Sequence, residues 1–125
     1  MRSWCAIILV VLAGCSSSAE APRVPVYGRV LMHGYPLRSG AIVFTPDRQH
    51  GSQGPTIRAD LGGDGKFVIS SGGLPPGWYR ITVASLDVSL PVRLRDPETA
   101  GIVREVVAGR ENSFDIELSD QVATR

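Results

Sequence analysis

Cysteine is nearly absent from this chain. The two it has, Cys5 and Cys15, both fall within the first fifteen residues. No thiol is left downstream to staple a domain, so the fold must rest on packing alone. Lysine is rarer still, with Lys66 alone beside twelve arginines scattered singly. Without a run of like charge there is no nucleic-acid surface and no polybasic membrane patch. Histidine is limited to His33, beside a turn, and His50, in a polar loop. A metal centre needs three or four convergent ligands, so both read as solvated rings, and neither a metal nor a cofactor is expected. No serine sits in a Gly-x-Ser-x-Gly elbow, and Gly62, Gly63 and Gly65 precede a strand where a phosphate loop would precede a helix. No enzyme is expected. The longest apolar run outside the domain, Trp4 to Leu12, is far short of the ~20 residues a membrane span requires.

What the first residues do have is an address. Met1-Arg2 is a short positive segment, Trp4 to Leu12 is apolar, and Ala13-Gly14 are small residues that a signal peptidase tolerates. Leu12-Ala13-Gly14-Cys15 resembles the lipobox of bacterial lipoproteins at all four positions. The resemblance implies cleavage between Gly14 and Cys15 and a diacylglyceryl thioether on Cys15. Cysteine suits that chemistry because its thiolate is soft and strongly nucleophilic. Several acyl chains, each contributing about 0.8 kcal/mol per buried methylene, anchor far more firmly than one. Residues 1–14 are then a signal peptide, and 15–23 are the lipidated cysteine with a small, polar tether. Ser16 after the cysteine is compatible, in a bacterium with two membranes, with transfer to the outer membrane. Removing Arg2 with the leader leaves twelve basic and twelve acidic residues, a balanced mature chain.

Beyond the tether, 14 glycines, 9 prolines and a Val/Ile/Leu-rich apolar set favour short strands joined by turns. Val26 to Met32 alternates, with Val26 and Val30 inward, and Gly28 marks a close approach of another backbone or a large side chain. His33-Gly34-Tyr35-Pro36 supplies a turn with positive φ at Gly34. Gly40 to Pro46 reads as a second strand, with Ile42 and Phe44 inward, forming a hairpin with the first. Asp47 to Pro55 is expected to be an exposed loop. Thr56 to Asp60 and Lys66 to Ser70 read as strands, the latter with Phe67 and Ile69 on one face. Trp78 to Val83 is the cleanest strand, with Tyr79, Ile81 and Val83 facing the core. Phe114 to Leu118 closes the sheet, and 120–125 is expected to fray.

At these residues a second resemblance emerges. Val26-x-Gly28-x-Val30, Gly34-x-Pro36, Phe44-x-Pro46, Asp64-Gly65-Lys66-Phe67 and Pro76-Gly77-Trp78-Tyr79-x-Ile81-x-Val83 follow one another as in carboxypeptidase-regulatory-like, transthyretin-like domains. Leu90-Pro91, Asp96-Pro97-Glu98-Thr99, Gly109 and Asn112-x-Phe114-Asp115-Ile116-x-Leu118 continue the pattern. The resemblance covers Val24 to Ser119 and implies an all-β, Greek-key β-sandwich of about seven strands over residues 24–119.

Three readings stay open at this level. Residues 96–109 carry helix signals, Asp96-Pro97-Glu98 as a start and Gly109 as a stop, but the β-branched run and the resemblance favour a strand from about Ile102 to Val107. Asp60 to Gly65 resembles half of a calcium loop, yet Gly62 and Ser71 stand at its third and twelfth positions, so a turn is expected. Trp78 could contact a sugar or peptide, or it could cover Pro75 and Pro76 at a sheet edge.

The expectation that results is a lipid-anchored module of the cell envelope, non-enzymatic, held at the membrane through Cys15 and working through an envelope protein or a glycan. Hydroxyisourate hydrolases share the transthyretin-like fold but end in a Tyr-Arg-Gly-Ser-like tail with paired histidines, whereas this sequence closes on Val122-Ala123-Thr124-Arg125.

Overall fold

The computed structural model of the protein describes residues 22–69, 72–85 and 90–119. Gly14, Cys15, most of the tether and the 120–125 tail lie outside them. Among the described residues no helix is long and apolar enough to cross a membrane.

Alternation of apolar and polar residues produces eight strands among the described residues: β1 Val26–Met32, β2 Tyr35–Pro36, β3 Ala41–Pro46, β4 Ile57–Asp60, β5 Lys66–Val68, β6 Gly77–Ala84, β7 Val103–Val106 and β8 Asn112–Leu118. They form two four-stranded sheets packed as a β-sandwich. In the first sheet β1 is central. It pairs in parallel with β8 along its whole length, and antiparallel with β5 and then β2 on the other side. The second sheet is antiparallel throughout, in the order β4-β3-β6-β7.

The expected hairpin between the first two long strands does not form. β1 and β3 belong to different sheets, because β1 turns back at once into the two-residue β2 and the chain then crosses the sandwich. The turn itself is as read: His33 (φ 52°) and Gly34 (φ 82°) both take positive φ, the conformation a two-residue hairpin loop requires.

Each sheet buries one face. Val26 and Val30 from β1, Ile42 and Phe44 from β3, and Tyr79, Ile81 and Val83 from β6 meet Phe67, Ile116 and Leu118 in a single core. Phe44 sits at its centre. Its ring lies 5.8 Å from Phe67, 6.2 Å edge-on from Tyr79 and 6.5 Å from Phe114. Aromatics from both sheets thus lock across the interior at geometries the ring quadrupole favours. Burial raises the Tyr79 hydroxyl above its ordinary pKa, against the lowering effect of the Arg23 charge, and that hydroxyl donates to the Pro75 carbonyl at 2.7 Å.

Gly28 has its close approach: a Cβ there would lie 1.9 Å from the Phe114 carbonyl oxygen of β8. Residues 103–106 are strand, settling the ambiguity of that segment against a helix. Asn112 closes the turn between β7 and β8. Its amide accepts from Val107 N–H and donates to the Val107 and Arg110 carbonyls, while the side chain itself is buried.

Candidate functional site

The outward face of the second sheet carries the polar chemistry. On β6 the outward residues are Trp78, Arg80 and Thr82, with Thr45 of β3 opposite Arg80 and Val43 opposite Thr82. Arg58 of β4 lies opposite Val43 on the other side. The segment that follows Leu90 folds back over this face, so that Arg80 reaches both the Pro97 carbonyl and the Glu98 carboxylate, the latter at 3.1 Å.

Asp47 is the hub at one end of the row. The loop after Pro46 is not wholly exposed as its composition implies, because the Asp47 side chain is 2% accessible. It caps the 3₁₀ turn Arg48–His50 by accepting from Gln49 N–H. The same carboxylate accepts from Arg80 Nε at 3.2 Å and from His50 Nδ1 at 2.6 Å. Burial alone would raise the Asp47 pKa. The His50 hydrogen bond, the Gln49 N–H and the Arg80 charge outweigh that and hold it below the usual carboxylate range. Because an ionised carboxylate can only accept, His50 donates to it from Nδ1. Arg80 in turn is held above its ordinary value, first by its hydrogen bond to Glu98 and then by Asp47.

Trp78 does not sit at a sheet edge. Its strand, β6, is flanked by β3 and β7, and the half-buried indole is stacked by His50, with ring centroids 4.7 Å apart and planes 22° from parallel. One aromatic face is therefore occupied by the imidazole. The Trp78 backbone is held as well: its N–H donates to Ser52 Oγ at 2.8 Å and its carbonyl accepts from Asp47 N–H. His50 is thus exposed, as expected, with 46% of its side chain accessible, but it is also bonded to Asp47 and stacked on Trp78. His33 lies on the surface at the β1–β2 turn, far along the chain from this cluster.

Two recesses open nearby. The larger, about 640 Å³, runs over Val43, Thr45, Thr82, Arg58, Arg95 and Pro97 on the outward face of the second sheet. Thr82 forms its floor and is only 4% exposed although it points away from the core. The smaller, about 410 Å³, lies in the 48–54 loop against Arg48, Gly51, Gln53 and Gly54.

Metal chemistry has no assembled donor set here: among the described residues no three His, Cys, Asp or Glu side chains converge on a common point. Asp64 serves its own turn by accepting from Lys66 N–H, and Asp60 lies 3.8 Å from Arg58.

Sequence reasoning missed Asp47, His50 and Arg80 as a group. The signal for Asp47 was present, since an Asp two residues before a polar N–H donor at the end of a strand is the pattern of a capping side chain. Nothing local foretold that Arg80 and Glu98, 33 and 51 positions further on, would converge upon it. No protein-family model, no curated protein and no solved structure matches this chain.

Proposed function

We propose that this protein is a lipoprotein of the bacterial cell envelope, anchored through acylated Cys15, whose β-sandwich is a non-enzymatic binding module. The observation that carries the reading is Leu12-Ala13-Gly14-Cys15 behind an apolar leader. The tether from Ser16 to Arg23 keeps the domain near the membrane surface, because its first core residue, Val24, is already bridged to Leu74. Transthyretin-like kinship is supported by the order of the strand and turn motifs from Val26 to Leu118. The outer membrane is the favoured destination, on the strength of Ser16. A binding role draws support from the outward face of the second sheet, where Arg58, Arg95, Thr45 and Thr82 border a recess of ligand size.

Subcellular fractionation of the wild type and of Cys15→Ala tests the reading. The wild type is expected in the membrane fraction in a shortened mature form, and the variant as a longer precursor. A variant that is processed and membrane-bound like the wild type overturns it.

A further inference from the structure

We propose that the groove over Val43, Thr45 and Thr82 binds a small molecule that carries an oxyanion, carboxylate or phosphate, on a short apolar body. This assigns a ligand class to the binding role above and rests on that reading.

Four features of the groove point to such an occupant. Its volume of about 640 Å³ lies within the range of small-molecule sites. Two arginines, Arg58 and Arg95, border it, and no carboxylate is among the described residues that line it. Among the described residues Glu98 is paired with Arg80, and Asp60 meets Arg58 only through a single contact of 3.8 Å on Nε. That contact leaves the Nη donors of Arg58 with no partner among the described residues, and a guanidinium fork suits a planar or tetrahedral oxyanion.

Thr82 supplies the fourth feature. It is 96% buried and it lines the groove. An oxyanion seated between Arg58 and the sheet would accept from Thr82 and from Thr45, which stands on the same outward face. Val43 and Pro97 provide the apolar wall that an alkyl body would cover.

The test uses the full chain purified in detergent micelles, titrated with butyl phosphate, with hexanoate and with hexanol while backbone amide NMR shifts are followed. Saturable shifts at Thr45, Arg58 and Thr82 are expected with at least one anion and not with the alcohol. Preference for butyl phosphate or for hexanoate identifies which oxyanion the site takes. Arg58→Gln, at a surface position, is expected to weaken binding roughly tenfold. Thr82→Val, which keeps the shape and removes the hydroxyl, is expected to weaken it several-fold with an unchanged melting temperature. No saturation by either anion, equal saturation by hexanol, or unchanged affinity in both variants would overturn the site. Loss of this site with membrane anchoring intact leaves the anchored-module reading standing, so the two failures are distinguishable.

Discussion

Asp47 and Arg80 are joined across the outward face of the second sheet at 3.2 Å, with side chains only 2% and 15% exposed. The pair ties the 47–55 loop to β6, and Glu98 at 3.1 Å extends the tie to the turn that crosses the face. A low-exposure ion pair with several additional hydrogen bonds resists the loss of one partner far more than a surface pair does. Asp47→Asn is therefore expected to lower the melting temperature clearly, whereas Asp60→Asn, in the exposed pair with Arg58, is expected to be near neutral. Thermal melts by circular dichroism compare the two, and equal effects would contradict the account.

The same carboxylate makes stability depend on acid. Asp47 has a lowered pKa in the folded protein, so its contribution is fully present above the ordinary Asp value of about 3.9 and is lost as pH falls through the folded value. Melting temperatures of the wild type are expected to fall on acidification over this window. In Asp47→Asn the fall is expected to be shallower, and parallel curves for the two proteins would show that Asp47 does not contribute it.

His50 stacked on Trp78 gives an optical signal. Trp78 is the only tryptophan beyond Trp4, and its indole lies 4.7 Å from the His50 ring. In His50→Ala that face of the indole is uncovered, and the emission maximum is expected to move to longer wavelength. An emission spectrum of His50→Ala identical to that of the wild type would contradict the stack.

Packing makes two further positions sensitive. Gly28→Ala places a methyl group where the Phe114 carbonyl of β8 already lies, and overpacking of this kind costs about 1–3 kcal/mol or more. Asn112→Ala strips a buried side chain of three hydrogen bonds in the β7–β8 turn, at about 2–3 kcal/mol. Urea denaturation measures both; a loss under about 0.5 kcal/mol at either position, the range of ordinary surface changes, would contradict the geometry.

Strand faces were legible in the sequence because alternation is local. Val26 and Val30, Ile42 and Phe44, and Tyr79, Ile81 and Val83 all point inward as their spacing requires. Gly28 was legible for the same reason, since a glycine amid strand residues signals a near neighbour. Partnership between strands was not legible. The inner faces of β1 and β3 carry the same kind of residue, so alternation cannot tell whether two successive strands pair or face each other across the core. β8 lies parallel to β1 although some 80 residues separate them (Val26 opposite Asn112). The outward site was hidden for a related reason: Asp47, His50, Arg80 and Glu98 are each unremarkable surface residues until the sheet register and the returning segment bring them together. Thr82 is another case, an outward strand residue buried by chain that crosses from beyond its own strand.

The central claim is that Cys15 is the acylated first residue of the mature protein. Intact and peptide-level mass spectrometry of the protein purified from its native membrane tests this most directly. The account predicts a chain beginning at Cys15, with a diacylglyceryl group on its sulfur and no trace of residues 1–14. A chain that begins elsewhere, or an unmodified Cys15 thiol, would contradict it.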